Sequence, residues 1–141
     1  METENRLAYR NIEKCLLARF PELQTLVQRT FGSYYDLKVE TPEAYSVFED
    51  VLQEFLFELL DLGGNDPLLP RIFGFLEDMA DSPDKEVVNL LWIAILEPLV
   101  SQPYRIRRAW KYMGGKTREL ARETARSGDW LENLPPPPQQ E

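Results

Sequence analysis

The sequence contains no histidine. That absence removes Ser-His and Cys-His nucleophilic pairs, His-ligated zinc sites and the commonest general base near neutral pH. A single cysteine, Cys15, excludes an internal disulfide. Its place in the apolar stretch 12–17 predicts a buried thiol that behaves as a small hydrophobe. The two glycine pairs, Gly63-Gly64 and Gly114-Gly115, fall between helical patterns and lack the preceding strand of a phosphate-binding loop. Long apolar runs are also missing. The longest, residues 87–100, is broken by Asn89, Glu97 and Pro98 and is shorter than the roughly 18–20 residues of a membrane span. The first residues, Met-Glu-Thr-Glu-Asn-Arg, carry no apolar signal region. The expectation is a cytoplasmic protein with no cofactor and no metal. Carboxylates alone can do acid–base work, but no motif supports catalysis, so the reading is not an enzyme.

What is present is enough for one real core. Hydrophobic residues make up 43% and aromatics 11% of 141 positions, which is a globular composition. Apolar residues recur at helical spacing, and proline and glycine mark the breaks. A first helix over 5–19 turns Leu7, Ile12, Cys15, Leu16 and Phe20 inward, and a second opens at Pro21 with Leu23, Leu26 and Val27. Residues 33–40 alternate like a strand but have nothing to pair with, which predicts an ordered loop. A third helix begins with Thr41 as N-cap and Pro42 at the first position, and it stops at Gly63-Gly64. Asp66-Pro67 and Ser82-Pro83 repeat the device for a fourth and a fifth. The fifth is apolar over most of its circumference, which marks it as central with Trp92 buried, and Pro98 should kink or end it. A basic helix and a charged helix follow, and Trp130, Leu131 and Leu134 anchor the end. The fold class is therefore all-α, with six to seven helices in an antiparallel bundle or a short solenoid-like array of hairpins. The expected division is one helical domain over 1–134 and a disordered proline-rich tail over 135–141.

Charge is unevenly distributed along this array. Between Asp36 and Glu97 there are 15 acidic and 3 basic residues, and between Arg105 and Arg126 there are 8 basic and 2 acidic. At about 100° per residue, Glu43, Asp50, Glu54 and Asp61 project along one stripe of the third helix, with Glu58 beside them. Tyr45, Phe48, Leu52, Phe55, Leu56 and Leu59 project to the opposite side. Val47 and Phe57 fall on or beside the stripe, where core packing does not account for them. A solvated outer face explains the carboxylates alone. A recognition face explains the two apolar residues as well, since carboxylates steer a basic partner in and Phe57 supplies a desolvated anchor.

Two other charged groups bear on function. Glu77, Asp78, Asp81, Asp84 and Glu86 surround the turn between the fourth and fifth helices, and Asp81 sits unfavourably near a helix end. Their spacing lacks the pattern of a calcium loop. Glu97 belongs either to an exposed stripe or to a pair with Arg105, Arg107 or Arg108. In the basic helix Ile106, Ala109, Trp110 and Met113 face the core, leaving Arg105, Arg108 and Lys111 outside. That arrangement could contact phosphates, but a net charge of −8 and a sequence pI near 4.7 work against a polyanion.

The runs Phe75-Leu76-Glu77-Asp78-Met79, Val87-Val88-Asn89-Leu90-Leu91 and Ile95-Leu96-Glu97-Pro98-Leu99 resemble a group of small bacterial all-helical proteins. Some members of that group resemble immunity proteins of polymorphic toxin and contact-dependent inhibition systems. The resemblance covers about a third of the chain, residues 66–100, mostly at core positions. It implies a small non-enzymatic inhibitor that neutralises a toxin, often a basic nuclease. The leading expectation is thus a protein-binding domain that engages a basic partner through Glu43, Val47, Asp50, Glu54, Phe57, Glu58 and Asp61. The alternatives are a helical adaptor or homodimeric scaffold, and a regulator that meets nucleic acid through its basic helices.

Overall fold

A computed structural model describes residues 7–136. It contains seven helices and, among the described residues, no strand. We number them α1 Ile12–Arg19, α2 Gln24–Phe31, α3 over residues 44–61, α4 Leu68–Ala80, α5 Lys85–Val100, α6 Pro103–Ala109 and α7 Gly115–Ser127. Short 3-10 turns at Tyr9–Asn11, Pro21–Leu23 and Trp110–Tyr112 lead into or out of them. Residues 33–40 form a loop closed on itself. The Asp36 carbonyl accepts from the Val39 and Glu40 amides, Asp36 Oδ1 accepts from the Lys38 amide, and Glu40 Oε1 accepts from the Asp36 amide. The expected start of the first helix near Asn5 and most of the expected tail lie outside the described residues.

The helix starts differ from the simple proline-cap reading. α3 begins at Ala44 with Glu43 in the cap position, three residues after Thr41. α5 begins at Lys85, and its cap is Asp84, whose Oδ1 accepts the Glu86 amide at 3.0 Å. Ser82 instead donates to the Leu7 carbonyl at 2.8 Å, which ties the start of the described chain to the α4–α5 turn.

α3 and α5 each contain a π-turn, at Phe48–Leu52 and Trp92–Leu96, where backbone bonds run from residue i to i+5. The two turns pack against each other. Pro98 accounts for the second. It has no N–H to give the Ala94 carbonyl, and its ring crowds that carbonyl in a regular α-helix. The chain widens instead of ending, and Gln53 Nε2 donates to the stranded Ala94 oxygen at 2.7 Å. Tyr45 meets Asn89 and Gln53 meets Ala94, so α3 and α5 advance in the same direction while α4 returns between them.

The core runs through the whole array. Phe48, Leu52, Leu56, Leu60, Phe73, Phe75, Leu76 and Leu91 are among its fully buried residues. Several expected core residues lie nearer the surface, among them Leu26, Tyr45, Phe55, Leu59 and Trp110, which are only partly buried. Trp92 is only partly buried, and its indole N–H donates to Glu97 at 3.2 Å. Cys15 is half-buried rather than enclosed, and Leu131 is exposed. Among the described residues no single helix is long and apolar enough to cross a membrane.

Candidate functional site

The acidic face of α3 forms as a surface but without its apolar centre. Glu43, Asp50, Glu54, Glu58 and Asp61 are all exposed. Val47 is wholly buried and Phe57 is 8% exposed. Both were expected on the surface, and the π-turn explains the placement of Phe57. A turn that closes at i+5 takes up one more residue than an α-turn, which rotates everything beyond it by about 100°. Phe57 therefore moves from the acidic stripe to the margin of the core. Val47 precedes the turn and packs with Phe48 and Val51 in the buried cluster.

The end of α3 is held by the basic helix. Gly63 and Gly64, both at positive φ, stop α3 with bonds from their amides to the Leu60 and Leu59 carbonyls. Arg108 donates to the Leu60 carbonyl and Tyr112 to the Gly64 carbonyl. Arg105 donates twice to Asp61, from Nε to Oδ1 and from Nη2 to Oδ2, each at 2.9 Å. Its guanidinium also stands 4.4 Å from the centre of the Phe57 ring. Cations at a helix C-terminus oppose the negative end of its dipole. The Arg105 hydrogen bonds hold the Asp61 carboxyl below the usual carboxylate range, with burial opposing. The basic segment is thus tied to the acidic helix at Asp61, and Glu97 bonds to Trp92 instead.

The second acidic group is also taken up within the fold. Burial pushes the Glu77 carboxyl up, but three hydrogen bonds outweigh it and leave the group below its ordinary range. They come from the Thr117 hydroxyl at 2.7 Å, the Thr117 amide at 2.9 Å and the Lys116 amide at 3.1 Å, so Glu77 caps the start of α7. Asp78 pairs with Arg19 at 2.9 Å and Asp81 with Lys116 at 3.3 Å. Asp84 accepts the Tyr9 amide at 2.8 Å in addition to its capping bond. The awkward position of Asp81 is therefore answered by Lys116. Among the described residues no group of three or more potential ligands is placed to hold a metal ion.

What remains uncommitted is the middle of α3. Asp50, Glu54 and Glu58 have no cation at bonding distance among the described residues. Two grooves flank them. One, against α2, is lined by Leu26, Arg29, Val51 and Phe55 together with the three carboxylates. The other runs beside Arg105 and is bounded by Gln53, Phe57, Asp61 and Leu62. Leu62, 77% exposed, and the pairing of Arg105 with Asp61 escaped the sequence reading. Leu62 was masked by its place at the helix end, and the pairing by the distance between its partners along the chain.

A model of a domain of unknown function, DUF7674, matches residues 13–127. The chain belongs to this family. The match takes in every helix of the DUF7674 fold from the second residue of α1 to the end of α7. It also takes in both π-turns and all five exposed carboxylates of the α3 face. No curated protein and no solved structure matches the chain.

Proposed function

We propose that this DUF7674 protein is a non-enzymatic protein-binding domain whose α3 face receives a basic protein partner. One observation carries the reading. Asp61, Glu77, Asp78, Asp81 and Asp84 are bonded within the chain, whereas Asp50, Glu54 and Glu58 at the middle of α3 are exposed and make no ion pair among the described residues. Like charges one helical turn apart, as Asp50, Glu54 and Glu58 are, destabilise a helix modestly. Folding therefore gives no reason for the row, and electrostatic steering of a cationic surface gives one. The basic helices offer less to a polyanion, because Arg105, Arg108, Lys116 and Arg118 make bonds inside the protein. The specific setting we propose, from the resemblance in residues 66–100, is neutralisation of a basic toxin domain by a bacterial immunity protein.

The test is co-expression with a candidate basic toxin domain, should the gene beside this one encode such a domain, in the parent chain and in an Asp50→Lys/Glu54→Lys/Glu58→Lys variant. Asp61 is left intact, since reversing it would break the Arg105 clamp. The reading predicts protection by the parent, and a folded variant that loses protection and associates about tenfold or more slowly at low salt. Full protection by the variant with an unchanged association rate would reduce the face to a solvated surface.

A further inference from the structure

Glu54, Glu58 and Leu62 succeed one another at i, i+4 spacing and form one row along the end of α3. Gln53, Phe57 and Asp61 form the adjacent row at the same spacing. Arg105 lies over the second row, forked onto Asp61 and stacked on Phe57. The groove these seven residues bound holds about 380 Å³ and opens to solvent. One guanidinium, the protein's own, is therefore already seated against its inner row. The outer row carries two exposed carboxylates without a cation and an exposed leucine beside them.

We propose that the basic partner inserts an arginine into this groove, its guanidinium spanning Glu54 and Glu58 and its aliphatic stem lying on Leu62. The inference rests on the reading of the α3 face as the surface for a basic protein, and it names the group that surface selects. Carboxylates one turn apart have Cβ atoms about 5–6 Å from each other, a separation that a planar fork of five donors can bridge. A lysine ammonium is a compact, strongly hydrated point charge and satisfies one carboxylate at a time. Guanidinium is also the more weakly hydrated cation, so it loses less on approaching Leu62 and the Phe57 edge. Selection thus comes from the spacing of the carboxylates and the apolar flank together, while charge alone would accept either residue.

The experiment titrates the full chain at low salt with two peptides of equal length and charge, one carrying arginine wherever the other carries lysine. The arginine peptide should bind about tenfold tighter. Glu54→Gln/Glu58→Gln should bring that ratio close to one. Leu62→Ser should weaken the arginine peptide about threefold and leave the lysine peptide unchanged. Asp50→Asn, outside the row, should weaken both equally. Equal binding of the two peptides to the parent overturns the arginine inference and leaves the basic-partner reading standing. A preference that survives Glu54→Gln/Glu58→Gln overturns this location for it. If neither peptide binds, both readings fail.

Discussion

The carboxylates at the end of α3, near the end of α4 and at the start of α5 differ from those in the middle of α3 in what they do. Asp61, Glu77 and Asp84 lie at helix ends or against them, where free amides, free carbonyls and the cations of the next helix are within reach. Asp50, Glu54 and Glu58 lie along a helix interior, where the backbone is already bonded to itself. The same residue types thus become structural in one place and available in the other, and position along the helix decides which. A chain with a strongly acidic centre and a basic C-terminal part uses its ends to join the two and leaves a remainder on one face.

The largest effect should come from the margin between the two regions. Phe57 is covered by the Arg105 guanidinium and the core, so Phe57→Ala should cost about 3–5 kcal/mol, read as a shift of the denaturant midpoint. A variant as stable as the parent would mean that Phe57 belongs to the exposed face after all, and that the clamp does not cover it.

A smaller effect should follow from pH. Asp61 and Glu77 both titrate below their ordinary range in the folded protein. Their contribution is therefore fully present above the unfolded carboxylate range near pH 4 and is lost as pH falls through the depressed folded values. Urea midpoints should hold from about pH 7 to 5 and fall below about pH 4. In Glu77→Gln the fall should be shallower, from a starting stability lower by about 1–3 kcal/mol. An equally steep fall in the variant would place the acid sensitivity elsewhere.

The sequence carried the helices well and the surfaces less well. Proline, glycine and the apolar period located all seven helices, and the unpaired alternation at 33–40 was rightly read as a loop. The exposure of the five α3 carboxylates was also legible, because charged residues keep to the outside whatever the local twist. Phe57 was misplaced because a uniform 100° projection has no way to include a π-turn, and Val47, before the turn, packs in the core with Phe48 and Val51. Residues 48–52 have no proline to announce one, and the one local hint was Gln53, a polar residue amid apolar neighbours that turns out to serve the Ala94 carbonyl. Pro98 did announce the disturbance in α5, but not that the helix would widen and continue, nor that Trp92 would be only partly buried. Which carboxylates find partners in other helices depends on contacts across 35 to 75 residues, and no local pattern encodes those.

Asp61, Glu77 and Asp84 hold the fold, and Asp50, Glu54 and Glu58 do not. One denaturant titration comparing two triple variants tests this claim, since each removes the same charge. Asp61→Asn/Glu77→Gln/Asp84→Asn should lose about 2–5 kcal/mol of stability. Asp50→Asn/Glu54→Gln/Glu58→Gln should stay within about 0.5 kcal/mol of the parent. A loss in the second variant as large as in the first would contradict the claim, because the α3 face would then be part of what keeps the protein folded.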